Sequence, residues 1–118
     1  MAENISTGKT GEQIAAEYLK KKGYEIIETN KHFGKAEVDI IAKEESEYVF
    51  VEVKTRKSEF FGFPEESVTD KKIEMMAMAA EQFIEQTEDV YEVRFDIISI
   101  IYNNKDFKIT HIKDAFIP

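Results

Sequence analysis

Two short apolar runs separated by five polar residues constrain this chain more than any other feature. Ala36 to Ala42 reads AEVDIIA and Tyr48 to Lys54 reads YVFVEVK, with KEESE between them. Alternating runs rich in β-branched and aromatic residues fit strands, and the polar link fits a hairpin. In the first run Ala36, Val38 and Ile40 fall on one face and Glu37, Asp39 and Ile41 on the other. In the second, Val49, Val51 and Val53 share a face, opposite Tyr48, Phe50, Glu52 and Lys54. Strands this apolar need cover on both faces, which calls for helices packed against the sheet.

The flanking sequence supplies those helices. From Thr10 to Lys22 the pattern is helical: Thr10 and Gln13 form a capping box, Ile14/Tyr18 and Ala15/Leu19 are spaced as neighbours, and Gly23 provides a C-cap. A second helix spans about Asp70 to Glu85, with Thr69 as N-cap and a stripe of Ile73, Met76, Ala77, Ala80, Phe83 and Ile84. Tyr24 to Glu28 reads as a strand, Asn30 to Lys35 as a loop, and YEVRFDIISII and FKITHI as closing strands. The resulting order, α-β-β-β-α-β-β, describes one α/β domain over residues 1–118, with a mixed β-sheet flanked by helices. A chain of 118 residues with 42% apolar side chains is long enough for one core.

The same composition excludes several function classes. There is no cysteine, hence no disulfide framework, thiolate cluster or cysteine nucleophile. No apolar stretch is long enough to span a membrane, and MAENISTGKT has no hydrophobic leader, so the expected location is cytoplasmic. The 16 basic against 24 acidic residues leave a net charge of −8, which argues against a tight, non-specific duplex binder. Gly8-Lys9-Thr10 is not a phosphate-binding loop, because Glu3 stands where the first glycine is needed and no strand precedes it. His32 and His111 have no ligand-spaced neighbours and read as ordinary loop and strand residues. Met75, Met76 and Met78 read as core filler.

The chemistry concentrates in the hairpin. Glu52 and Lys54 are two apart on a strand and project from one face. Asp39 joins them if Lys43 pairs with Tyr48 across the loop Glu44 to Glu47; a slip of one residue would send the two carboxylates to opposite faces. Facing carboxylates repel unless a cation lies between them, and Mg²⁺ is well served by one or two carboxylates plus water. Lys54 could then orient or help deprotonate an attacking water, or neutralise charge on the phosphorane. A solvated charged face explains E-x-K equally well on periodicity alone.

The segments GEQIAAEYLKKKGYEII, AEVDIIA, VFVEVKTR, FGFPEESVTDKK and RFDIISI, in order over about residues 8–101, resemble the YraN-type uncharacterised protein family. That family is similar to the restriction-endonuclease-like PD-(D/E)xK superfamily, in particular to archaeal Holliday-junction resolvases. The resemblance implies a Mg²⁺- or Mn²⁺-dependent nuclease acting on DNA, on branched or single-strand-containing substrates, and a possible homodimer. It assigns Asp39, Glu52 and the Val53 carbonyl as metal ligands, Lys54 as the catalytic lysine, and Glu12 as a helical glutamate able to join the metal shell. Glu37 matches the acid before Asp39, in an outer-shell or salt-bridging role. The chain departs from the family at Ala36, where glycine is usual, and at His32 and Gly34, where arginines are usual.

Arg56, Lys57, Lys71 and Lys72 are the candidate phosphate contacts, whereas Lys20 to Lys22 suit a helix C-terminus. So few basic groups imply weak, metal-dependent binding with a shallow salt slope. The alternative from a different class is a non-catalytic module binding nucleic acid or a protein through Phe60, Phe61 and Phe63.

Overall fold

The computed structural model describes residues 10–57, 68–102 and 106–117; the loop aromatics Phe60, Phe61 and Phe63 lie outside them. Helix α1 (Gly11–Lys21) starts at Thr10, whose hydroxyl accepts from the Gln13 N–H while the Gln13 side chain accepts from the Thr10 N–H. It stops where Gly23, at φ +95°, lets Tyr24 N–H reach the Leu19 carbonyl and Gly23 N–H the Lys20 carbonyl. The chain then runs through β1 (Glu25–Phe33), β2 (Ala36–Glu44) and β3 (Glu47–Lys57). Helix α2 (Asp70–Gln86), β4 (Val93–Tyr102) and β5 (Phe107–Ile112) complete it. The expected order of elements is therefore the observed one.

The five strands lie in chain order in a single sheet. Neighbours are antiparallel except β3 and β4, which run parallel because α2 carries the chain across between them. Ile14, Ala15 and Leu19 of α1 bury against Ile40, Ala42, Val49, Val51, Ile98 and Ile100. Met76, Ala79, Ala80 and Phe83 of α2 bury against Val38, Ile41, Phe50 and Phe95. Val49 and Val51 thus face one helix and Phe50 the other, so each face of the sheet carries one helix. Of the methionines read as core, Met76 is buried and Met78 is 57% exposed. Among the described residues no helix is long and apolar enough to cross a membrane.

Two local expectations need correction. Asn30 to Phe33 is strand, not loop: β1 continues to Phe33 and turns through Gly34 and Lys35, with Gly34 at φ +62°. Its polar residues look loop-like because β1 is an edge strand with most side chains in water. The alternation of β2 also breaks. Val38 packs on the α2 side, whereas Ile40 packs on the α1 side. The break falls at Asp39, opposite Asn30, which has the left-handed φ of 51° and drops out of the β1–β2 register.

Gly11 couples α1 to the sheet. A Cβ there would collide with the Thr55 methyl on β3, and α1 cannot retreat without opening contacts made by the buried Ala15 and Leu19. Helix propensity alone favours alanine over glycine by about 1 kcal/mol. Gly11→Ala is nonetheless expected to destabilise the protein, by about 1–3 kcal/mol. Adding Thr55→Ser, which removes the obstructing methyl, should recover most of the loss in urea unfolding. Additive losses from the two changes would show that the contact is not the cause.

Candidate functional site

β2 and β3 pair with Lys43 opposite Tyr48, the register that brings Asp39 to Glu52. The hairpin turn is shorter than the expected loop, since Glu44 and Glu47 also pair. At the other end the ladder stops at Ile40 and Val51, and the strands part there. Asp39 fills the fork: its Oδ2 accepts the Val53 N–H at 2.8 Å, taking the place of the missing strand partner. The site therefore lies between two interior strands and not along an edge strand.

Glu52, only 7% exposed, points from β3 toward the α2 side. Lys54 Nζ stands 3.3 Å from its Oε2, and Lys72 Nζ, from the first turn of α2, 3.3 Å from its Oε1. The second ion pair lacks hydrogen-bond geometry, which leaves Oε1 buried with no donor aimed at it. Burial, and then the charge of Glu52, push the Asp39 carboxyl up to about 6, against the opposing pull of the Val53 N–H. Glu12 also raises it and Lys72 lowers it. A half-buried acid with this proton affinity beside a second carboxylate is a pattern found at functional sites.

The structure brings together Asp39, Glu52, Lys54 and Lys72. It does not bring Glu12 into a shared ligand group: among the described residues no three His, Asp or Glu side chains are placed to hold one ion. Glu12 acts on Asp39 through its charge. Glu37 Oε2 lies 3.7 Å from His32 Nε2 across the β1–β2 ladder, a contact that is an ion pair only when the imidazole is protonated. The four basic candidates do not form one patch. Lys72 is engaged by Glu52, Lys71 is exposed, and the pleat puts Arg56 on the Glu52 face and Lys57 on the other.

The donor set fits a hard divalent ion. Mg²⁺ needs only one or two carboxylates, and carbonyl oxygen suits it. A buried carboxylate oxygen without a hydrogen bond, next to an acid whose proton affinity is raised by burial and by its neighbour's charge, is what a cation would relieve. The set does not fit a closed zinc site, which takes four protein ligands.

A model of the Uncharacterised protein family UPF0102 matches residues 11–100. The chain belongs to the UPF0102 family. A UPF0102 protein of Flavobacterium psychrophilum is 47% identical over 116 residues, covering 98% of both chains. One of Christiangramia forsetii is 49% identical over 116 residues with the same coverage. Another, of Phocaeicola vulgatus, is 45% identical over 118 residues, 100% of this chain and 98% of its own. The matched stretch spans α1 to β4 and contains every residue of the fork.

A second polar cluster was not anticipated from sequence. Arg94 donates to both oxygens of Asp96, from Nε and Nη2 at 2.9 Å each, to the Tyr24 hydroxyl at 2.8 Å, and to Glu44 and Glu47 at 3.0 and 2.9 Å. His111, read as an ordinary strand residue, places Nε2 2.8 Å from Asp96 Oδ2. Burial would raise Asp96, but the bonds from His111, Arg94 and the Asp114 N–H outweigh it and hold the carboxyl below its usual range.

Asp39 gives the metal-free protein a definite pH dependence. Its folded pKa lies above the ordinary 3.8, so the native state binds more protons than the unfolded chain between about 4 and 6. This group therefore makes the protein more stable as pH falls through that window. Holding the carboxyl near 6 corresponds to about 3 kcal/mol between its two forms. Asp39→Asn keeps an oxygen for the Val53 N–H and removes the charge, so it should be up to about 3 kcal/mol more stable than wild type at pH 7.5. That gain should shrink toward pH 4.5 in urea titrations. A constant difference across the range would contradict the assignment.

Proposed function

We propose that this protein is a divalent-metal-dependent nuclease that hydrolyses phosphodiester bonds in DNA, with branched or single-strand-containing DNA as the substrate class. The observation that carries this reading is the convergence of Asp39 and Glu52 at the fork. One carboxyl is pushed up to about 6 and the other has a buried oxygen without a hydrogen bond. A purely structural sheet gains nothing from that pairing.

Asp39, Glu52 and the Val53 carbonyl would hold Mg²⁺ or Mn²⁺. When bound, the ion supplies Lewis acidity toward a phosphodiester. Asp39 has its carboxylate fixed by the Val53 N–H, so its second oxygen has a defined direction. Lys54 is the proton-handling or charge-neutralising group, since Glu52 holds its ammonium beside the site. Glu12 keeps the local potential negative and thereby favours a cation. Arg56 and Lys71 are the phosphate contacts in this reading, few enough that net charge −8 limits the protein to weak binding without the ion.

The test is a calorimetric titration with Mn²⁺, followed by a panel of duplex, flap and four-way DNA. Wild type should bind one ion and cleave at least one substrate, and Asp39→Asn should bind at least tenfold more weakly. Wild type that binds no ion, or leaves the whole panel intact with either metal, would refute the proposal.

A further inference from the structure

Lys72 stands in an unfavourable place for a cation. It lies in the first turn of α2, its N–H bonded to the Thr69 hydroxyl at 3.1 Å, where the helix dipole disfavours positive charge. Its ammonium is held by Glu52 Oε1 at 3.3 Å and, at the long limit of a hydrogen bond, by the Glu37 carbonyl at 3.4 Å. Both oxygens of Glu52 therefore have a lysine beside them, and Oε1 has no directed hydrogen bond. That contact neutralises charge without fixing geometry.

We propose that Lys72 is a built-in counterion of the metal-free site, which a divalent ion displaces from Glu52. The inference rests on the metal-site reading above and adds a role for Lys72 that phosphate contact alone does not require. An ion shared by Asp39 and Glu52 would face the Lys72 ammonium at close range and repel it. Lys54 shares a strand with Glu52 and is held in the β3–β4 ladder opposite Ser99. Lys72 reaches in from a separate helix with its side chain 31% exposed, so it is the group free to swing away. Released, its ammonium faces outward near the fork, available to a phosphate oxygen of an incoming strand. The lysine thus exchanges a carboxylate partner for a phosphate one, and it limits the affinity for a metal when no substrate is present.

Mn²⁺ titrations of wild type, Lys72→Met and Lys71→Met at one pH and ionic strength test this. Lys71 is the exposed neighbour and controls for general loss of positive charge. Lys72→Met should bind Mn²⁺ about tenfold more tightly than wild type, and Lys71→Met within about twofold. Should Lys72→Met fail to fold, reductive methylation of the wild-type protein read by mass spectrometry gives the same answer. Lys72 should react slowly alone and several-fold faster with Mn²⁺, while Lys71 does not change. Unchanged or weaker Mn²⁺ binding by Lys72→Met, or Lys72 reactivity indifferent to Mn²⁺ in a wild type that binds the ion, overturns the inference alone. A wild type that binds no Mn²⁺ overturns both it and the metal site.

Discussion

Arg94→Met should lower the stability of the protein by about 3–5 kcal/mol, a large share of what a domain of this size possesses. Arg94 and Asp96 sit two apart on β4 and project to the α1 side, where Asp96 is 0% exposed. Methionine fills much of the space but withdraws five hydrogen bonds at once. Asp96 is left with His111 and the Asp114 N–H, and a buried carboxylate short of partners is far costlier than the net value of the pair it lost. The consequence reaches the end of the chain. Asp114 N–H bonds Asp96 Oδ1 at 3.1 Å, Ala115 N–H bonds the Phe95 carbonyl at 2.8 Å, and Phe116 stacks on Phe95. Urea unfolding should show the loss in midpoint, and proteolysis should begin after β5. Since Asp96 has a lowered pKa, its stabilising contribution is lost as pH falls through that value, so wild type and variant should converge in acid. A change below about 1 kcal/mol would mean that Lys113 or water takes over the guanidinium's role.

How much of this was legible before folding depends on the range of the interactions. The hairpin was legible because KEESE is polar while both flanking strands are strongly apolar; its register was left open by that pattern, and the structure pairs Lys43 with Tyr48. Both helix starts were legible, since capping by Thr10 and Thr69 is settled within four residues. The break in β2 was not. AEVDII alternates plausibly as written, and what flips Ile40 is Asn30 on another strand leaving the ladder. The Arg94 cluster was hidden for the same reason, as its partners Glu44 and Tyr24 lie 50 and 70 residues away. A signal did exist: an Arg and an Asp on one face of an otherwise buried strand must be paired. For the candidate site, sequence and resemblance named Asp39, Glu52 and Lys54, and the structure places them together. They named Lys72 only as a phosphate contact and gave no sign of the Glu52 carboxylate that holds it in the metal-free site. A lysine's choice between two anions is a matter of tertiary distance that spacing cannot encode.

Lys54→Ala is expected to reduce metal-dependent cleavage by about 10³-fold, within the range for removal of a group that moves a proton or neutralises developing charge. The fold should survive, because the Lys54 side chain is 26% exposed and its loss leaves Glu52 with Lys72. Mn²⁺ affinity should not fall, since Lys54 donates nothing to a cation and its own charge opposes one. Intact metal binding with lost cleavage separates Lys54 from Asp39 and Glu52, whose replacement should abolish both. Lys54→Arg then divides the two roles open to the lysine. Arginine keeps a positive charge near the phosphate but does not give up its proton at neutral pH. Recovery to within about tenfold of wild type would assign Lys54 to neutralising charge in the transition state, while a rate as low as that of Lys54→Ala would assign it to handling the proton of the attacking water. Cleavage by Lys54→Ala at the wild-type rate would remove the lysine from the mechanism and leave the carboxylate pair as a metal site without the group needed for hydrolysis.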